Sequence, residues 1–217
     1  MPPIKTVLFD LDGTLVDTAP DMAAALDILC REECQPALPY DKVRPAVSNG
    51  SVALIKLAFG EVKDEDRLAH LKQRYLDIYK SNICIDSTPF TGIEKVLDHI
   101  EDNGLKWGVV TNKPGWLTLP LMDRLQLSER AATIVSGDTT QNSKPHPDPM
   151  HHACGEADSD SDECLYIGDA RRDIEAGKNA GMKTLIAGYG YIDLDEDVST
   201  WGADAIINRP EEILLHL

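Results

Sequence analysis

Side chains suited to phosphoryl transfer follow several apolar runs of this sequence. Each run ends in a short polar segment that carries an aspartate, a hydroxyl or an amide, and a Ser-Lys-Pro segment adds a lysine. If the runs are parallel strands, their carboxyl ends meet at one edge of a sheet, and these side chains are expected to lie together. In chain order they are Asp10, Asp12, Thr111, Asn112, Lys113, Lys144, Asp169 and Asp173.

These residue types indicate transfer of a phosphoryl group to a carboxylate. An aspartate can act as the nucleophile, and a second carboxyl two residues further on can act first as an acid and then as a base. Aspartates bind a hard cation such as Mg²⁺ through oxygen, and the cation together with a lysine offsets the charge of a transferring phosphate. Thr111 and Asn112 supply neutral donors to phosphate oxygens.

The elements that must position these residues alternate between strands and helices. Apolar, β-branched runs without polar alternation are typical of strands that are covered on both faces, and alternation with helices predicts an α/β fold with a Rossmann-like parallel sheet. Strands are expected at residues 6–9, 106–110, 133–135, 165–167, 184–187 and 205–207. Helices are expected at 93–103, 117–125, 147–155 and 172–180.

One gap breaks this rhythm. The stretch between the first two expected strands is too long for a simple crossover, and residues 20–85 within it have helical patterns at 21–32, 52–59 and 64–79. We therefore expect a small helical domain inserted into the sheet domain, with hinges near 17–18 and 88–90.

The charge balance argues against two classes of partner. The chain has 37 acidic and 21 basic side chains, a formal net charge of −16, whereas nucleic acids and anionic membrane surfaces favour surplus Lys and Arg. A small phosphorylated metabolite is expected instead. The first apolar run is too short for a signal peptide and no stretch approaches a membrane span, which predicts a cytoplasmic protein. A monomer or a homodimer is expected. The five cysteines form no C-x-x-C pair and indicate neither a disulfide framework nor a zinc site.

Residues 9–17 (Phe-Asp-Leu-Asp-Gly-Thr-Leu-Val-Asp) closely resemble the first motif of the haloacid dehalogenase superfamily. Three further segments resemble its later motifs in the expected order: Val-Val-Thr-Asn-Lys at 109–113, Ser-Lys-Pro at 143–145, and Ile-Gly-Asp at 167–169 with Asp173. Four ordered motifs span most of the chain. The resemblance implies a core of that family's fold and a magnesium-dependent phosphomonoester hydrolase that works through an aspartyl-phosphate.

The resemblance also implies a role for each matched residue. Asp10 would be the nucleophile and a magnesium ligand, and Asp12 would be the general acid and base, with its backbone carbonyl also on the metal. Asp169 would bind magnesium directly, and Asp173 would support it through water or through other ligands. The transferring phosphoryl group would be held by Thr111, Asn112 and Lys144.

The inserted helices resemble the cap that closes over the site in the family's first cap type. The expected division is a catalytic core at 1–16 and 88–217 and a helical cap for substrate specificity at 17–87. Residues 44–51 resemble the specificity loop between two cap helices, in which Arg44, Ser48 and Asn49 are candidate substrate contacts.

Three residues near these motifs stay open. Asp17 could ligate the metal, cap a helix or serve the hinge. The neighbouring His151 and His152 point in different directions on a helix and are expected to be surface or capping residues.

Two branches of the family compete for the substrate. Residues 12–20, 111–114, 141–149 and 189–191 resemble bacterial phosphoglycolate phosphatases, which makes 2-phosphoglycolate or a similar small ester the leading expectation. Residues 107–110, 189–192 and 201–204 resemble N-acetylmuramic acid 6-phosphate phosphatases of peptidoglycan recycling, which are the alternative. A phosphomutase similar to β-phosphoglucomutase and a non-catalytic module that binds a phosphate ligand are further alternatives. A dehalogenase of this family normally lacks the acid at the position of Asp12, so Asp12 favours phosphoryl transfer over dehalogenation.

Overall fold

The computed structural model describes residues 2–193 and 195–217. The strands are β1 (Thr6–Phe9), β2 (Val16–Asp17), β3 (Thr88–Pro89), β4 (Lys106–Val110), β5 (Thr133–Val135), β6 (Cys164–Gly168), β7 (Lys183–Ala187) and β8 (Ala205–Ile207). Six of them form one sheet in the order β5-β4-β1-β6-β7-β8, in which every neighbouring pair is parallel. The other two form a separate antiparallel ladder. The predicted α/β fold with a helical insertion is confirmed.

Helices cover both faces of the sheet and fill the insertion. They are α1 (Ala19–Glu32), α2 (Tyr40–Val43), α3 (Gly50–Phe59), α4 (Glu65–Ser81), α5 (Ile93–Asp102), α6 (Gly115–Arg124), α7 (Asp148–Ala157) and α8 (Arg171–Asn179). Short 3₁₀ helices lie at Arg44–Asn49, Ser161–Glu163, Val198–Trp201 and Pro210–Leu215. No helix among the described residues is both long and apolar enough to cross a membrane.

The central strands are apolar on both faces because both faces are covered. Val7 and Phe9 pack into the core that contains α5 and α6, whereas Leu8 between them packs with α7 and α8. Neighbouring side chains of a strand point to opposite faces, so this burial removes the polar alternation of a half-exposed strand. The uninterrupted apolar runs therefore identified all six strands of the main sheet to within one residue at each end.

The register of the sheet brings the polar strand ends together. Phe9 pairs with Val109 of β4 on one side and with Ile167 of β6 on the other. The residues after these strands therefore emerge side by side at the carboxyl edge of the sheet. The strand order reverses at β1, which is the position where ligands bind in open α/β sheets.

A two-stranded ladder joins the two ends of the insertion. Val16 pairs with Pro89 and Asp17 pairs with Thr88, so the chain leaves and re-enters the core through adjacent strands. The hinges were predicted at these positions, but the ladder was not, because two residues are too few to show a periodicity. The division of the chain into core and cap remains a prediction.

The predicted specificity loop is mostly helical. Residues 40–49 form α2 and a 3₁₀ helix that lead directly into α3, and Gly50 has a φ of 78° between them. Tight 3₁₀ turns have weak sequence signals, because their residues need not follow a helical apolar period.

Asp21 in α1 fixes the return of the chain from the insertion. Asp21 as a whole is only 2% exposed. It accepts hydrogen bonds from the backbone amides of Ile85 (3.0 Å), Asp86 (2.9 Å) and Ser87 (3.0 Å), and from the Ser87 hydroxyl (2.5 Å). Since this segment leads directly to β3, one carboxylate joins the first inserted helix to the end of the insertion.

We expect Asp21→Ala to lower the free energy of unfolding by about 3 kcal/mol, because it leaves several backbone N–H groups without their charged acceptor. Chemical denaturation measures this change. Asp86→Ala is the matched control: it removes a carboxylate from the same turn, but that side chain is exposed, and we expect a change below about 0.5 kcal/mol. Equal losses in the two variants would contradict the anchoring role of Asp21.

Candidate active site

Three buried carboxylates form the centre of the site. Asp10 follows β1, Asp169 follows β6 and Asp173 lies in the first turn of α8, and one oxygen atom of each lies within 4.8 Å of the others. Their exposures are 3%, 2% and 0%. Burial, together with the charges of Asp10 and Asp173, raises the pKa of Asp169 to about 7. Burial also raises the pKa of Asp173, although Lys144 opposes this shift.

This donor set fits a divalent cation. Oδ1 of Asp169 is buried and has no hydrogen-bond partner among the described residues. A buried polar atom without a partner is unfavourable, and a metal ion would satisfy it. Carboxylate oxygens are also the ligands that Mg²⁺ prefers. The cluster is therefore consistent with a bound divalent metal.

Two glycines allow neighbouring loops to approach Asp169. Gly13 has a φ of 86°, which favours glycine, and a Cβ atom there would collide with the Asp169 carboxylate and with the ring of Tyr191. A Cβ atom on Gly190 would collide with Asp169 and with the Gly13 carbonyl. The loops after β1 and β7 can pack around this carboxylate only because both positions lack a side chain.

Lys144 is the cation at this centre. Its Nζ donates to Asp10 Oδ1 at 2.8 Å and to the Val110 carbonyl at 2.9 Å, and it lies 2.9 Å from the Tyr166 hydroxyl. It also lies 2.7 Å from Asp173 Oδ1, in an ion pair that lacks the alignment of a hydrogen bond. One ammonium thus faces two of the three carboxylates and leaves negative charge at the third.

Asp12 is held apart from this cluster. Its Oδ1 accepts hydrogen bonds from the Thr18 hydroxyl at 2.6 Å and from Lys113 Nζ at 2.8 Å. Lys113 also donates to the Tyr79 hydroxyl at 2.9 Å. Burial opposes the charge of Lys113, but Asp12 and Tyr79 outweigh it and raise the pKa of Lys113 above its ordinary value. Oδ2 of Asp12 has no hydrogen bond among the described residues, and Asp12 lines a cleft that opens above the carboxylates.

The residues after β4 have two different tasks. Thr111 is buried at the base of the cleft, and its hydroxyl oxygen accepts the Lys113 amide at 3.2 Å, which leaves its proton available to a ligand. Asn112 instead exchanges two hydrogen bonds of 3.0 Å with the Lys144 backbone. Asn112 also lines the cleft, so its phosphoryl contact remains a prediction, and its side chain in addition fixes the segment that carries Lys144.

The inserted segment reaches the carboxylate cluster through Ser48. Its hydroxyl donates to Asp169 Oδ2 at 2.7 Å, and its carbonyl accepts a hydrogen bond of 2.5 Å from Arg172. Both Ser48 and Asn49 line the cleft, as expected for candidate substrate contacts. Burial opposes the charge of Arg172, but the three carboxylates of the cluster outweigh it and raise its pKa.

Arg44 lies outside this cleft. Its guanidinium donates to the carbonyls of Gly190 (3.0 Å) and Tyr189 (3.3 Å) and lies 4.8 Å from the centre of the Tyr191 ring. The structure therefore places this candidate substrate contact on the loop after β7. The hydrogen bonds of Arg44, like that of Arg172 to the Ser48 carbonyl, join the insertion to the core.

A cleft of about 890 Å³ opens above the carboxylates. Its base contains Asp10, Asp12 and Thr111, and its walls come from the inserted helices and from α6. Lys72 of α4 and Trp116 of α6 are among the residues that line it. This volume is at the upper end of the range of about 300–1,000 Å³ for small-molecule sites.

The residues that stayed open from sequence lie away from the cluster. Asp17 pairs with Thr88 in the two-stranded ladder, and its Oδ1 accepts a hydrogen bond from the Tyr191 hydroxyl at 2.6 Å. His151 contacts the Ser161 hydroxyl at 3.3 Å, and His152 lies 3.3 Å from Glu156 one helical turn further along. Both histidines are exposed on α7.

Sequence reasoning missed four residues that shape the site: Thr18, Tyr79, Tyr166 and Arg172. Tyr79 and Tyr166 have the pattern of ordinary buried core residues, and their hydroxyls meet Lys113 and Lys144 only in the folded protein. The nearest signal was Arg172, a basic residue between two acidic ones of the last motif.

The comparisons with known proteins agree with this geometry. Residues 7–187 match the haloacid dehalogenase-like hydrolases. An N-acetylmuramic acid 6-phosphate phosphatase from Pseudomonas aeruginosa is 42% identical over 97% of this chain and 93% of its own length. A phosphoglycolate phosphatase from Xanthomonas campestris is 37% identical over 96% of this chain and 94% of its own length. The crystal structure of a predicted phosphoglycolate phosphatase from Haemophilus somnus has a TM-score of 0.87 at 26% identity, covering 100% of this chain and 99% of that one.

Asp169 gives the metal-free protein a pH-dependent stability. Its pKa of about 7 in the folded state lies above the value of about 3.9 for an unfolded aspartate, so its contribution to stability is lost as the pH rises from about 4 to 7. In EDTA, Asp169→Asn is therefore expected to become more stable than the wild type as the pH rises from 5 to 8. Urea denaturation at several pH values measures this difference.

The control for this experiment is Asp162→Asn, which neutralises an exposed aspartate. Its difference from the wild type should stay constant across the same pH range. An advantage of Asp169→Asn that did not change with pH would contradict the effect of burial and like charge on this carboxyl.

Proposed function

This chain belongs to the haloacid dehalogenase-like hydrolase family and is one of its phosphatases, and we propose that its substrate is N-acetylmuramic acid 6-phosphate. The observation that carries the choice is the higher identity to the Pseudomonas aeruginosa phosphatase of that ester, 42% against 37% for the Xanthomonas campestris phosphoglycolate phosphatase. The size of the cleft, about 890 Å³, supports it, because a sugar phosphate would fill much more of this volume than a small acid.

Hydrolysis of 2-phosphoglycolate is the second candidate. It is the activity that the motifs favoured in the sequence, and the Xanthomonas campestris relative of that name also matches almost the whole chain. The small ester would leave most of the cleft to water, which supports ranking it below the amino-sugar ester. The sequence motifs ranked 2-phosphoglycolate first, whereas we now rank N-acetylmuramic acid 6-phosphate first.

We propose that residues 17–87 act as a cap over a core formed by 1–16 and 88–217. The β2–β3 ladder lies at this boundary, and Asp21 binds the returning chain next to it. The hydrogen bonds of Ser48 and Arg44 to the core would hold the cap closed over the site. Closure of this kind excludes water from the reacting groups.

Magnesium is the metal we propose for the carboxylate cluster. Asp10, Asp169 and Asp173 would hold it, with the backbone carbonyl of Asp12 as a further ligand. When bound, the cation would neutralise charge on the phosphoryl oxygens during transfer.

Asp10 is the proposed nucleophile. Lys144 binds its Oδ1, and its Oδ2 has no hydrogen bond among the described residues. In the first step Oδ2 attacks phosphorus, the bond from phosphorus to the ester oxygen breaks, and the Asp12 carboxyl gives its proton to the departing sugar hydroxyl. Lys144 and the Thr111 hydroxyl would stabilise the phosphoryl oxygens.

Asp12 then acts as the base in the second step. It takes a proton from a water molecule, whose oxygen attacks the phosphorus of the aspartyl-phosphate. The bond from phosphorus to Asp10 breaks, phosphate leaves, and Asp12 is protonated again. Because Thr18 and Lys113 bind Oδ1, Oδ2 of Asp12 stays oriented for proton exchange in both steps.

A comparison of four esters tests the substrate. With magnesium present, kcat/KM for N-acetylmuramic acid 6-phosphate should exceed that for 2-phosphoglycolate by at least about tenfold, because only the sugar ester uses the binding surface of the cleft. N-acetylglucosamine 6-phosphate and glucose 6-phosphate complete the series. A clear preference for 2-phosphoglycolate would overturn the proposed substrate and favour the second candidate.

Two substitutions test the chemistry. Asp10→Asn should abolish hydrolysis because it removes the nucleophile, and Asp12→Asn should lower kcat by about 10²–10⁴-fold, the range of general acid–base catalysis. Chelation by EDTA should remove the activity of the wild type, and added magnesium should restore it. Asp162→Asn, an exposed acid outside the cleft, is the control. An Asp10→Asn variant that keeps most of its magnesium-dependent rate would contradict the mechanism.

A further inference from the structure

Lys72 is a basic residue of the cleft that has no acidic partner among the described residues. The basic side chains that line the cleft among the described residues are Lys72, Lys113 and Arg172. Lys113 is bound to Asp12 at 2.8 Å, and Arg172 donates to the Ser48 carbonyl and faces the carboxylate cluster. Lys72 is exposed and makes no hydrogen bond or ion pair within the part of the chain that the structure describes.

Helix α4 carries both Lys72 and Tyr79, a residue that is linked to Asp12 through Lys113. Tyr79 lies near the inner end of this helix, where its hydroxyl accepts a hydrogen bond from Lys113, which binds Asp12. Lys72 lies two turns earlier on the same face, and Leu76 lies between them and also lines the cleft. At a rise of 1.5 Å per residue, Lys72 is about 10 Å further out along the helix axis than Tyr79.

This separation suits a substrate with two anionic groups on opposite sides of a sugar ring. N-acetylmuramic acid 6-phosphate carries its phosphate on C6 and a lactyl carboxylate on the oxygen of C3. In 2-phosphoglycolate a single CH₂–O unit separates the carboxylate from phosphorus, so its two anionic groups lie closer together than the rise along α4 from Tyr79 to Lys72.

We infer that Lys72 binds the lactyl carboxylate and determines the preference for the muramic ester over the same sugar phosphate without the lactyl group. The inference rests on the proposed function and extends it to a residue. The ammonium is free to accept such a partner, and the chain's net charge of −16 makes an unpaired cation at this wall the favourable place for a second substrate anion. Lys72 touches no reacting atom, so it contributes to binding.

The test compares two substrates that differ only in the lactyl group. Kinetic constants are measured for N-acetylmuramic acid 6-phosphate and N-acetylglucosamine 6-phosphate with the wild type, Lys72→Met and Lys72→Arg. Lys72→Met should lower kcat/KM for the muramic ester about tenfold, mainly through KM, as expected for the loss of one charge-assisted hydrogen bond. It should change kcat/KM for the glucosamine ester less than about twofold, and Lys72→Arg should restore most of the loss.

Lys63→Met is the matched control, because Lys63 is an exposed lysine just before α4 that does not line the cleft. Equal effects of Lys72→Met on both sugar esters, or none on either, would overturn the role of Lys72 while leaving the proposed substrate intact. A wild type that does not hydrolyse the muramic ester would overturn the proposed function and this inference together. Thermal denaturation confirms that each variant is folded.

Discussion

One buried ammonium lies among three buried carboxylates, and this imbalance of charge determines what the surrounding structure must supply. Lys144 binds Asp10 and Asp173 but leaves Asp169 with an oxygen that no described residue satisfies. Like charges removed from water cost several kcal/mol unless they are compensated. The cluster is therefore stable only with donors, protons or a cation around it, and loops from separate strands converge to provide these partners.

Asp169 also links the insertion to the core. Its Oδ2 accepts the Ser48 hydroxyl at 2.7 Å and the Tyr191 amide at 2.9 Å, while its Oδ1 is the oxygen left open. The same carboxylate thus belongs both to the cluster that fits a divalent cation and to the contacts between the inserted segment and the core. Arg172 reinforces this link, because it holds the Ser48 carbonyl and faces the cluster at the same time.

The sequence predicted burial and order better than it predicted partners. Apolar runs identified the main sheet because covered strands cannot alternate, and the ordered motifs identified the acids and Lys144 as one group. The hydrogen bond from Lys113 to Asp12 joins residues 101 positions apart, and Asn112 binds Lys144 from 32 positions away. A pattern along the chain records how much a residue is buried, whereas such pairs depend on which loops the fold brings together. Arg44 shows the same limit, since the sequence made it a candidate substrate contact but gave no sign that it binds the carbonyls of Gly190 and Tyr189.

The excess of acid on this chain makes the placement of its cations decisive. An anionic substrate is repelled at long range by a net charge of −16, so attraction must come from groups inside the cleft, where water screens them less. Lys144 is fully committed to the carboxylates at the base, and Lys113 is committed to orienting Asp12. Neither can be spared for a distant anion without disturbing the chemistry. A cation outside this network is therefore the strongest partner for a second negative group, and among the residues that line the cleft Lys72 meets that condition.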